Sequence, residues 1–215
     1  MTTTAHKAAA ELLGAVETPR NARDRLVDKA IDLFYRHGFN AVGLDRIITE
    51  TGVTKTTFYK HFASKDDLMV AAVEKRDAWE QRAWRRAVQK LAGDDPRAQL
   101  LGMFDVLDAW FNDPAFGGCM FISAASEFPN PHDPVHQAAA EHKRAGRDET
   151  RDLAVKAGAS DAEAFADQYT ILLEGALVMR QVHGRDDAAR LGRTLVERLV
   201  EAYMPTAKRR RRATG

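Results

Sequence analysis

The densest chemistry in this 215-residue chain lies in the run TGVTKTTFYKHFASKDDL, from Thr51 to Leu68. Lys55, Lys60 and Lys65 offer ammonium groups, Thr54, Thr56 and Thr57 offer hydroxyls, and Tyr59 and His61 carry polar groups on flat rings. The apolar anchors are few, chiefly Phe58 and Phe62, four residues apart. A helix built only to fill a core has no use for so many polar side chains. Set on a short helix, they suit a major groove entered N-terminus first. Lys55 can donate to guanine acceptors, and the Thr56 methyl or hydroxyl can meet a base edge. Thr57, Tyr59, His61 and Lys65 then sit nearer the phosphates, which fix register and give affinity its salt dependence. For one isolated lysine, a solvated helix face is the simpler reading. The threonine caps, the paired phenylalanines and the local charge together favour DNA.

Other candidate chemistry is thinner. His132, His136 and His142 crowd one region with Glu127, Asp133 and Glu141. His132 and His136 are four apart, but Pro134 between them breaks a continuous helix, so the HExxH spacing is not reproduced. Exposed loop histidines are the default, and a metal-sensing site at His132/His136 is the alternative. Cys119, near a helix N-terminus, could have a lowered thiol pKa and sense oxidants, although a buried cysteine is commoner. No nucleophile elbow, phosphate loop or dinucleotide fingerprint occurs. No enzyme activity and no cofactor are expected.

The net charge of +1 hides an asymmetry. Residues 20–65 carry nine basic and five acidic side chains, a balance of +4. Residues 66–207 carry 17 basic and 24 acidic ones, a balance of −7. A small basic module joined to a larger acidic one implies that only the first meets a polyanion. That argues against an architectural DNA-binding protein, which gains from positive charge throughout. The longest apolar runs are too short to span a bilayer, and no secretory signal is visible. A single cysteine excludes an internal disulfide framework and suits a reducing cytoplasm, the expected location.

Helical spacing dominates the chain, and strand-like alternation is scarce. A first helix is expected from Asn21 to His37, with Leu26, Ala30, Leu33, Phe34 and His37 on one face and Gly38 as its stop. A second covers Leu44–Thr51, and Thr51-Gly52-Val53 forms the turn. Thr54 caps a third ending near Phe62, and Ser64 caps a long fourth with Asp66 and Asp67 in its first turn. Breaks rich in Gly, Pro, Asn and Asp then delimit five more, at roughly 96–112, 117–127, 134–157, 161–182 and 187–203. The fold class is all-α, with about nine helices. Residues 1–19 form a flexible extension, 20–65 a helix-turn-helix domain, 66–205 a second helical domain, and 206–215 a basic disordered tail.

The run GFNAVGLDRIITETGVTKTTFYKHFASKDDLMVAAV, Gly38 to Val73, resembles the DNA-binding domain of the TetR/AcrR transcriptional regulators. The matching features are Gly38-Phe39, Ile47, Gly52-Val53, Thr57-Phe58-Tyr59, His61-Phe62 and Ser64-Lys65. The strong match covers roughly 23–75, and helix count and chain length agree with the whole family fold. Gly43-Leu44-Asp45 departs from the pattern, since a Thr/Ser cap and a basic residue are common there. The start of the second helix is therefore weakly capped, and Asp45 is no phosphate ligand. By resemblance, Lys55, Thr56, Thr57, Tyr59, Lys60, His61 and Lys65 occupy positions that touch DNA, beside the cap Thr54.

The resemblance also implies a homodimer on a double-stranded operator, with C-terminal helices that dimerise and enclose a small effector. The sequence offers candidates for each. Met103, Phe104, Leu107, Trp110 and Phe111 lie along one broad helix face, which suits either a core or an adaptable apolar pocket. Cys119, Ser123 and Glu127 share a face at four-residue spacing, in a segment like one found in some family members. Tyr169, Leu173, Glu174 and Leu177 fall on an eighth helix that is apolar nearly all round and so expected to be buried on more than one side. Glu174 needs an arginine, another polar group or a polar ligand. Leu191, Leu195, Leu199 and Ala202 form a seam on the ninth helix, and the eighth and ninth helices of two subunits would make a four-helix interface. The expected protein is a repressor released from a pseudo-palindromic operator by a small, largely apolar effector.

Overall fold

The computed structural model describes Leu13, Pro19 and residues 21–205; the expected N-terminal extension, those two residues apart, and the basic tail lie outside the described residues. Nine helices and no strand occur among them. They are α1 (Ala22–His37), α2 (Leu44–Thr51), α3 (Lys55–His61), α4 (Lys65–Ala92) and α5 (Pro96–Phe111). Then follow α6 (Met120–Glu127), α7 (Pro134–Lys156), α8 (Ala162–His183) and α9 (Ala188–Tyr203). The all-α expectation and the helix order hold, and the ends follow local chemistry. Asn21 caps α1 by accepting from the Asp24 amide at 2.9 Å. Thr54 caps α3 through Thr57 N–H at 3.1 Å. Ser64 and Asp67 exchange side-chain and backbone hydrogen bonds at 3.0 Å each, closing a reciprocal box at the head of α4. Gly43 offers α2 no side-chain cap, in line with the departure seen there.

The described chain packs as two compact units. One runs from Asn21 to Arg82 and takes in Gly117–Arg144; the other comprises Ala83–Phe116 and the residues from Ala145 on. This division does not follow the expected functional boundary at 65. The segment around α6 belongs, by packing, with the helix-turn-helix.

In the first unit α1 packs against α2 and α3. Leu26, Ala30, Leu33 and Phe34 of α1 are buried, as are Ile47, Phe58 and Phe62. His37 departs from the expected apolar face: it is exposed, and its Nε2 lies 3.1 Å from Arg46 Nη2. In the second unit α9 packs on α8 and α5. Phe104, Phe165, Tyr169 and Val196 form its core. Gly192 of α9 is there for close approach, because a Cβ at this position would stand 2.5 Å from Phe104 Cε1. Phe104 cannot swing away easily, since its ring meets Tyr169 edge-on at 5.5 Å. Overpacking of this kind costs about 1–3 kcal/mol, against a helix-propensity gain for Gly→Ala of about 1 kcal/mol. Gly192→Ala is therefore expected to lower the urea midpoint without changing the slope; an unchanged or raised midpoint would refute the packing account.

Candidate functional site

The turn between α2 and α3 is built on Gly52, whose φ of +67° lies in the left-handed region that a side chain resists. Its N–H donates to Thr49 O at 3.2 Å. The chain then leaves α2 and restarts at Thr54 after a single intervening residue. α3 has seven residues, and such a helix has little stability of its own. Burial holds it: Phe58 is inaccessible and Phe62 nearly so, their centroids 5.7 Å apart. The opposite side is open. Lys55, Thr56, Tyr59, Lys60 and His61 are all exposed, Tyr59 by 53%.

Four of the expected DNA-site residues are already engaged. Thr54 and Thr57 are joined by a 2.8 Å hydroxyl–hydroxyl bond within the cap. Lys55 Nζ lies 3.4 Å from Asp45 Oδ1, a solvent-exposed pair that binding can exchange at small cost. Lys65 differs from the outward position expected of it. Its ammonium donates to Phe39 O at 2.7 Å, and burial holds its pKa below the usual lysine value, with Asp66 and Glu127 opposing.

The other candidates divide between the units. Phe104, Leu107, Phe111, Tyr169 and Leu177 are buried core, and Tyr169 donates its hydroxyl to Leu100 O at 2.7 Å. Leu173 and Glu174 are half-buried on α8. A groove of about 460 Å³ in the same unit lies among α4, α5 and α7, lined by Trp84, Val88, Met103, Asp148, Asp152 and Leu153 among others. Of the expected effector residues, Met103 alone lines it, and Trp110 reaches only the edge of Trp84, at 5.9 Å between centroids. Sequence could not separate these roles, because a Met and aromatic stripe looks the same beside a core or a cavity. Trp84, Asp148 and Asp152 carry no such signal in the sequence, because charged residues surround them.

Cys119, Ser123 and Glu127 belong to the unit with the helix-turn-helix. Ser123 Oγ donates to Cys119 O at 3.2 Å. Glu127 accepts from the Phe39 amide at 2.9 Å and the Asn40 amide at 2.7 Å. Cys119 is buried, the commoner of its two readings, and the alternative of a lowered thiol pKa is not met. Burial pushes its thiol up, the amides of Ile122 and Phe121 and the charge of Lys143 not offsetting it. The histidines do not converge either: His132 is exposed, His136 Nδ1 lies 2.7 Å from Phe128 O, and His142 Nδ1 lies 2.6 Å from Asp77. Among the described residues no group of three His, Cys, Asp or Glu is placed to hold a metal ion. No described helix is long and apolar enough to cross a membrane.

Residues 26–72 match the family model "Bacterial regulatory proteins, tetR family", and residues 96–196 match "Tetracyclin repressor-like, C-terminal domain". SCO4454, a TetR-family transcriptional regulator from Streptomyces coelicolor, is 30% identical with a TM-score of 0.75, over 85% of this chain and 96% of that one. The chain belongs to the TetR family. This TetR-family chain is a transcriptional regulator with a DNA-binding helix-turn-helix, not an enzyme. A second solved relative, a putative regulator from Streptomyces avermitilis, is 26% identical over 86% of this chain and 98% of its own, with a TM-score of 0.73. Among curated proteins, the HTH-type transcriptional regulator YjdC of Escherichia coli is 31% identical over 94 residues, 44% of this chain. The chain spans about half of YjdC, 49% of its length.

The burial of Cys119 sets a measurable outcome. Alkylation by iodoacetamide at neutral pH should run at least about tenfold slower in the native regulator than in urea, since reactivity follows thiolate content and access. Equal rates would show an open, reactive thiol.

Proposed function

We propose that this regulator is a homodimeric repressor whose paired α3 helices read a pseudo-palindromic operator. The observation that carries this reading is the exposed polar face of α3, held on the Gly52 turn by the burial of Phe58. Lys55 and Thr56, at the start of α3, meet base edges. Tyr59, Lys60 and His61 bind phosphates, and Thr54 and Thr57 shape the N-terminus that approaches the backbone. Lys65 supports the interface from behind. Residues 20–65 are the reading module, 66–205 the dimerisation and effector module, and the protein works in the cytoplasm beside its DNA.

Support for the dimer comes from apolar side chains left open on α8 and α9. Ile171 and Val182 are each 70% exposed, and Val178, Leu191 and Leu195 are exposed as well. α8 is thus covered on one side only within the chain, while Ala176, Leu177, Val196 and Val200 fill the inner side. A contiguous apolar face of this kind on two adjacent helices marks an association surface. Support for an effector comes from the groove around Trp84, Met103 and Leu153. Trp84, Val88, Met103 and Leu153, set among polar and charged side chains, suit the apolar part of a small effector, whose binding favours a dimer with the two reading heads wrongly spaced. By linkage, such an effector binds the DNA-bound protein less tightly.

Selection of duplexes from a random library at near-physiological salt should enrich an inverted repeat. Failure to enrich any sequence, with folded protein, would overturn the reading. Ile171→Glu combined with Leu195→Glu should convert a dimer to monomers in sedimentation velocity and lower affinity for the enriched duplex at least about tenfold. Dimers persisting in this variant would place the interface elsewhere.

A further inference from the structure

The segment holding α6 is tied to α1 at one end and to the α1–α2 turn at the other. Before the first turn of α6, the Gly117 N–H donates to the Tyr35 hydroxyl at 2.7 Å, and a Cβ on Gly117 would stand 2.9 Å from the Tyr35 ring. At its last turn, the two oxygens of Glu127 separately accept from the Phe39 and Asn40 amides, at 2.9 and 2.7 Å. Gly38, just ahead, has φ of +83°, and a Cβ there would stand 2.9 Å from Glu127 Oε1. Both contacts need glycine, one for approach alone and one for approach and backbone conformation.

The Phe39 peptide groups are held from both sides. Glu127 takes the N–H, and Lys65 donates to the carbonyl at 2.7 Å. The Phe39 ring is fully buried, stacked on Phe34 at 4.8 Å and edge-on to Phe128 at 6.0 Å. From Phe39 the chain runs into Gly43, which gives α2 no side-chain cap. The entry of α2 is therefore set less by its own terminus than by where Phe39 and Asn40 are pinned. A carboxylate accepting backbone amides makes a charge-assisted bond of about twice the ordinary strength.

We infer that Glu127 is a positioning residue for operator recognition. With Lys65 it fixes the α1–α2 turn and the head of α4, and so sets the angle at which α2 and α3 leave α1. The role rests on the proposal that α3 reads an operator. Glu127 touches no DNA, and its effect passes through the Phe39–Asn40 backbone.

The test uses the full chain carrying Glu127→Gln, which keeps the volume but replaces one acceptor oxygen by a donor. Affinity is measured for the selected duplex and a scrambled one, with amide hydrogen exchange at Phe39 and Asn40 followed in the same protein. Exchange should accelerate, and affinity for the selected duplex should fall about tenfold, the worth of one charge-assisted bond. Affinity for the scrambled duplex should not fall, because nonspecific binding depends on charge and not on helix angle, and the variant loses one negative charge. A role confined to stability would instead lower both affinities together with the folded fraction. Lys65→Met should give the same loss of discrimination, and the double variant should lose less than the sum. Unchanged discrimination in Glu127→Gln, with or without faster exchange, overturns this role alone. Equal losses on both duplexes also overturn it. A wild-type chain that selects no duplex overturns the operator reading and this role together.

Discussion

A seven-residue helix cannot hold itself in water, and most of what surrounds α3 follows from that constraint. About two turns of intrahelical hydrogen bonds do not repay the entropy of ordering them. α3 therefore exists because Phe58 is fully buried, a gain of about 1.5–3 kcal/mol. That anchor fixes which side faces out. Thr54 at the N-terminus and the Gly52 turn then limit how the helix can sit, leaving five polar residues presented on a short support. A longer, self-stable helix would not need α1, but it would be less tightly tied to the rest of the unit.

The same dependence runs one step further out. α1 holds α3, and α1 is in turn held by the segment from Gly117 to Glu127. Sequence separation between Glu127 and its partners is 88 and 87 residues, so these bonds close a large loop through the chain. This explains why packing groups 117–144 with the helix-turn-helix, although the chain visits 83–116 in between. A charged side chain bound to two backbone amides is a good device for such a closure. Its geometry is directional, and leaving the amides unpaired carries its own penalty.

The second unit is organised on different terms. Its interior is hydrophobic contact between α5, α8 and α9, with Gly192 making room for Phe104. Its exterior retains apolar side chains on α8 and α9 that the chain itself does not cover. Charged groups around the Trp84 groove are extensively cross-paired, as in the 2.9 Å Arg85–Glu149 bridge. The acidic balance of this part of the chain is thus spread over solvated pairs.

Wherever the determining physics is local, it was legible in the sequence. Caps at Thr54 and Ser64, the stop at Gly38, the Gly52 turn and the inward Phe58/Phe62 pair act within four residues, and each occurs as the residue types require. The weak start of α2 at Gly43 was visible for the same reason. The tertiary structure alone decided what depends on distant partners. Lys65 turns inward because Phe39 O lies within its reach, and Glu127 serves backbone amides far away in sequence. Burial raises the Cys119 thiol pKa where a helix terminus would have lowered it. Phe104 and Tyr169 are core while Met103 lines a groove, although all three obey helical spacing. Periodicity fixes which face of a helix is apolar. It carries no information on whether a neighbouring side chain or empty space lies against that face.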